Sequence, residues 1–90
     1  MAGDDIARLQ KAIIAVVDQQ IDSGEPLITR QTFERLKQQG YGPDEAKKLI
    51  GYVVGAEFFN VVRRDRPYDA VGFANMLAAL PKLPWEVGER

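Results

Sequence analysis

Between Gly42 and Arg64 the chain reads GPDEAKKLIGYVVGAEFFNVVRR, with apolar side chains at almost every angle around a helical axis. Leu49, Ile50, Tyr52, Val53, Val54, Ala56, Phe58, Phe59, Val61 and Val62 leave little room for a wet face. A helix that is apolar all round has to be enclosed by others. The segment is therefore expected to be the central helix of a small bundle, dry around its whole circumference. Pro43 at the first helical position, followed by Asp44 and Glu45, marks its start. Its end is expected near Asp65, because Pro67 disfavours helical backbone at Arg66. The β-branched content of Tyr52–Val62 is also compatible with a strand, but the length and the start signal favour a helix.

Three further helices can be read around it. The first is expected from Asp4 to Asp22. It has an apolar stripe of Ile6, Leu9, Ile13, Val16 and Gln20, flanked by Ile14, Val17 and Ile21, and acids near its N-terminus that suit the helix dipole. Ser23, Gly24 and Pro26 end it. The second is expected from Thr29 to Gln39, with Thr29 as N-cap, Phe33 and Leu36 as apolar anchors, and Gly40 in the left-handed position after its end. The fourth is expected from Asp69, as N-cap, to Leu80, with Phe73, Leu77 and Leu80 on one face. Residues 81–90 are expected to form an extended tail. The reading is an all-α compact bundle of four helices with the third central, in one domain covering residues 1–90.

Composition narrows function mainly by exclusion. With 90 residues there is room for one core but little for an enclosed site of enzymatic size. Histidine is absent, which removes the commonest general base and metal ligand. Cysteine is absent too, which favours a reducing compartment over a disulfide-stapled secreted fold. The acidic start MAGDD does not resemble a signal peptide, and the longest apolar run is interrupted by Gly51, Gly55, Glu57 and Asn60, so a cytoplasmic location without membrane contact is expected. A net charge of −1 argues against unaided nucleic-acid binding. No enzymatic activity, cofactor or metal is expected.

A few residues remain that could carry function. Glu57 interrupts the apolar face of Ile50, Val53, Val54 and Val61; it and Asn60 are the candidate buried polar residues, with Glu57 expected to bond Asn60, Gln20 or an arginine. Arg63, Arg64 and Arg66 cluster at the C-terminal end of the third helix, where cations complement the dipole and where Asp65 and Asp69 offer ion pairs. Phe58 and Phe59 point about 100° apart on a helix. Core burial of both is the default, and an exposed ring would mark a binding patch. Trp85 can fold back on the bundle or lie at an interface. Gly51 and Gly55, one turn apart, allow a close helix crossing, expected against the first helix.

The stretches IIAVVDQQ (Ile13–Gln20), TFERLKQQGYGPDEAKKLIGYVVGAE (Thr32–Glu57) and RPYDAVGFANMLAALPKLP (Arg66–Pro84) resemble a family of small bacterial helical proteins of unknown function. In that family the first motif reads like IHAIVENQ and the third helix opens like HEAIHAIG. Where the pattern has histidines this chain has Ile14, Asp44 and Lys48, while Asp18, Glu45 and Glu57 match its carboxylates. If those histidines bind a metal, the resemblance implies that this chain has lost the site, because a few carboxylates without imidazole hold a transition metal weakly.

The function expected from these features is a non-enzymatic interaction or structural module, with another protein or a second copy as partner. Its apolar contact surface would be presented by the third or fourth helix, with Arg63, Arg64, Arg66 and Trp85 at the rim and Phe58 and Phe59 as candidate contact residues. The alternative is weak nucleic-acid binding through Lys47, Lys48 and the three arginines.

Overall fold

The computed structural model describes residues 2–86, with side chains from Asp5 onward. It contains α1 (Ala2–Ser23), α2 (Leu27–Gln38), α3 (Pro43–Arg63) and α4 (Ala70–Ala79), and no strand among the described residues. Helix α3 packs against all three others, so the all-α bundle with a central third helix is the observed architecture. The core is built from Val17 of α1, Phe33 and Leu36 of α2, Ala46, Ile50 and Val53 of α3, and Phe73 and Leu77 of α4, closed by Leu80.

The local signals act much as the sequence indicates. Gly42 and Pro43 open α3, with Asp44 and Glu45 in its first turn. At the end of α2, Gly40 has φ 105°, a conformation in which a side chain would be strained. That geometry lets the Gly40 amide bond the Lys37 carbonyl (3.0 Å) and the Tyr41 amide bond the Leu36 carbonyl (3.1 Å), a Schellman closure. Gly51 and Gly55 meet α1 as expected. A Cβ on either would lie 3.4 Å from an Ile13 methyl carbon, so their smallness sets the α1–α3 separation.

Several expectations are corrected. Thr29 is not an N-cap, because α2 begins two residues earlier after Pro26. Thr29 is instead fully buried in the first turn, and its hydroxyl donates to Gln20 Oε1 at 2.8 Å. The tail is not extended over 81–86. Lys82 N–H bonds the Ala79 carbonyl, and Leu83 N–H and Glu86 N–H close a turn through the Glu86 side chain and the Leu83 carbonyl. Residues 87–90 lie outside the described part. The stripe of α1 is buried at Val17 and half-buried at Ile13, Ile14, Gln20 and Ile21, but Ile6, Leu9 and Val16 are exposed. Among the described residues, α1 packs against α2 and α3 but not against α4, so no third helix covers these side chains.

The largest correction concerns α3 itself, whose circumference is not dry. Ala46, Ile50, Gly51, Val53 and Glu57 are buried along one arc. Tyr52, Phe58, Phe59, Val61 and Val62 are exposed. Three neighbours of unequal length cover the first half of α3 well and leave its C-terminal half partly uncovered.

Two arginines of α2 hold the bundle ends. Arg30 donates from Nε to the Ile21 carbonyl (2.8 Å) and from Nη2 to the Asp22 carbonyl (2.7 Å). Arg35 donates from Nη2 to the Leu77 carbonyl (2.9 Å) and from Nη1 to the Leu80 carbonyl (3.1 Å). Each guanidinium fork thus satisfies carbonyls at or just beyond a helix end and places a cation at the negative end of that helix dipole.

Candidate functional site

The C-terminal half of α3 gathers most of the candidate residues. Phe58 is 55 % exposed, Phe59 46 % and Val62 56 %, so the core expectation for the two phenylalanines is overturned for both. Arg63 and Arg64 place their guanidinium carbons 5.8 and 5.7 Å from the Phe59 ring centre, within reach of a cation–π contact. The expected pairing of the arginines with Asp65 and Asp69 does not form. Among the described residues the ion pairs are Lys37–Glu34 and Lys47–Asp18. Arg63, Arg64 and Arg66 are exposed, and the Arg66 amide bonds the Asn60 carbonyl at 3.3 Å.

Helical spacing divides the exposed apolar residues into two strips. Tyr52 and Phe59, seven apart, share one side of α3. Trp85 joins that strip, 59 % exposed, with its ring edge-on to Tyr52 at 5.5 Å between centroids. It has folded back on the bundle while keeping much of its surface open. Phe58 and Val62 lie on a second strip, four apart. Phe59 and Trp85 thus lie on one strip and Phe58 on the other.

Beside the second strip, a pocket of about 300 Å³ opens between α1, α3 and the segment leading into α4. Its walls are Val54, Phe58, Val61, Tyr68 and Phe73, with Gln20 and Glu57 as polar lining. Tyr68 and Phe73 are in tilted contact, 6.1 Å between ring centres. Glu57 is 7 % exposed, as its place among apolar neighbours indicates, but its partner differs from those expected. Its Oε2 accepts from the Asp69 amide at 3.1 Å, and neither Asn60, Gln20 nor an arginine bonds it. Asn60 is half-buried rather than buried. A second cleft, about 690 Å³, runs between α1 and α3 past Ala7, Lys11, Ile14, Lys48 and Tyr52.

The basic residues are not pooled. Lys47 Nζ lies 2.7 Å from Asp18 Oδ1, and this ion pair compensates a carboxylate oxygen that is closed off from solvent. The hydrogen bond and charge of Asp18, helped by Asp44 and Asp22, raise the Lys47 pKa above its ordinary 10.5. Lys48 is exposed and lines the second cleft. No group of three or more acidic, His or Cys side chains among the described residues is placed to hold a metal ion, so Asp18, Glu45 and Glu57 do not converge.

Arg30, Arg35, Tyr52 and Tyr68 were not singled out from the sequence. The two arginines flank the Thr29, Thr32, Phe33 and Leu36 stripe on either side, which is a readable sign that they reach toward neighbouring helices. Which carbonyls they reach depends on how the helices are placed. Tyr68 sits in a loop, where no periodicity marks it. No protein-family model, curated protein or solved structure matches this chain.

Proposed function

We propose that this protein works without catalysis, as a cytoplasmic helical module that binds another protein chain, a second copy of itself included. The observation that carries the reading is the exposure of Phe58, Phe59 and Val62 along the end of α3, beside arginines that have no ion pair among the described residues. Apolar side chains exposed together at one helix end are costly for an isolated monomer and are a common mark of a contact surface. Unpaired arginines at the edge favour a partner whose apolar contact is bordered by acids. No helix among the described residues is long and apolar enough to cross a membrane. The test is sedimentation equilibrium up to high micromolar concentration. Self-association that disappears in Phe59→Glu, with helical circular dichroism retained, supports the reading. A monomer throughout removes the homodimer.

Nucleic-acid binding is the second reading, supported by the exposed side chains of Arg63, Arg64 and Arg66. It has lost part of its basis, because Lys47 is occupied by Asp18. Absence of a gel shift with either DNA or RNA at low salt would dispose of it.

A further inference from the structure

Glu57 has an unusual position for a carboxylate. It is more than nine-tenths buried and lines a pocket whose other walls are largely apolar. No Lys or Arg nitrogen among the described residues lies within 4 Å of it. One N–H, from Asp69, is bonded to Oε2, and Oε1 makes no hydrogen bond among the described residues. Yet Oε1 is not sealed off, because every fully enclosed side-chain oxygen among the described residues is bonded, apart from Asp18 Oδ1, which faces Lys47 Nζ at 2.7 Å. Burying a carboxylate against hydrocarbon is expensive unless a cation or several donors compensate it. Of the other polar lining groups, Gln20 already has its carbonyl oxygen taken by Thr29.

The geometry points to this pocket as a binding site for an ammonium group on an aliphatic stem. Glu57 Oε1 would accept from the ammonium, while Phe58, Tyr68 and Phe73 supply aromatic surface for the cation and its methylenes. A guanidinium fits less well, since its fork seeks both oxygens of a carboxylate and Oε2 is engaged by Asp69. A hard metal cation needs several oxygen ligands, and Glu57 is the one carboxylate in the lining. The site does not depend on the end of α3 being a protein-docking surface. The ammonium could belong to a free amine or to a lysine side chain, and both present the same chemistry to Glu57.

The test is an NMR titration of the ¹⁵N-labelled full chain with n-butylammonium, with Nα-acetyl-lysine methylamide, and with 1-butanol as the uncharged control. The expected result is saturable shifts at the amides of Glu57, Tyr68 and Asp69 with at least one of the charged probes, and none of comparable size with 1-butanol. A response to the lysine derivative assigns the source to a side chain. A response confined to n-butylammonium assigns it to a free amine. Glu57→Gln keeps an acceptor for the Asp69 amide and should weaken binding about tenfold or more, the loss expected for a charge-assisted hydrogen bond. Phe58→Ala, at an exposed position, should weaken it by a smaller factor with the fold intact. No saturable shift with either charged probe, an equal response to 1-butanol, or full binding by a folded Glu57→Gln protein would each overturn the assignment.

Discussion

Glu57 and Asp69 together form a capping box whose halves come from different elements. Asp69 is the N-cap of α4, and its Oδ1 accepts from the Gly72 amide three residues on, at 3.0 Å. In the familiar box a Glu or Gln at that third helical position reaches back to the N-cap amide. Gly72 has no side chain, and Glu57 of α3 takes the Asp69 amide instead. The start of α4 is thereby tied to the body of α3.

Asp69→Ala should destabilise the fold by about 0.5–2 kcal/mol, the usual cost of a lost N-cap. Asp69→Asn should cost less, since its amide oxygen still accepts. Urea denaturation followed by circular dichroism measures both, and a midpoint unchanged in Asp69→Ala would show that this cap contributes nothing.

Arg35 joins α2 to the end of α4 through two carbonyls 42 and 45 residues away. Arg35→Met keeps most of the aliphatic stem and should cost roughly 1–3 kcal/mol, because hydrogen bonds from a charged donor are lost at a partly buried helix end. Arg35→Lys should recover part of that, as it keeps the charge but not the planar fork. Equal stability of Arg35→Lys and wild type would mean that charge alone acts there.

Gly51 sets how closely α1 approaches. Gly51→Leu should cost about 1–3 kcal/mol by overpacking against Ile13 and Ile14. Gly51→Ala should be close to neutral, since its Cβ would sit 3.4 Å from Ile13 Cγ2 while alanine favours the helix by up to about 1 kcal/mol. Pairing Gly51→Leu with Ile13→Ala should recover stability relative to the sum of the two single changes. Strict additivity in that double-mutant cycle would argue against the contact.

Lys47 gives the alkaline limb of stability a specific cause. Its pKa is raised in the folded state, chiefly by the hydrogen bond to Asp18, so the folded chain holds this proton more tightly than the unfolded chain. Its contribution is fully present below the ordinary value of 10.5 and is lost as pH rises through the raised value. The pair is partly exposed, so a contribution of about 0.2–1 kcal/mol is expected. The stability difference between wild type and Lys47→Met, followed from pH 8 to 12 by urea denaturation, should shrink across that window. A difference that stays constant with pH would assign the effect to packing rather than charge.

Helix order, the start at Pro43, the Schellman turn at Gly40, the Asp69 cap and the approach of Gly51 and Gly55 to α1 were all legible from the sequence. Each depends on backbone conformation or side-chain size within a few residues, and such local physics is written in local sequence. Burial of Glu57 could also be anticipated, because its neighbours at helical spacing are apolar. Its bond to the Asp69 amide could not, because that amide arrives from a loop whose path the helical pattern does not specify.

Tertiary structure decided which apolar residues are dry. Periodicity places Phe58, Phe59 and Val62 around a helix, but burial depends on whether another element extends far enough to cover them. In this bundle the neighbouring helices cover the first half of α3 and leave its end partly open. The reach of Arg30 and Arg35 was likewise decided by packing, since a guanidinium can satisfy a helix end only after that end has been brought within a side chain's length.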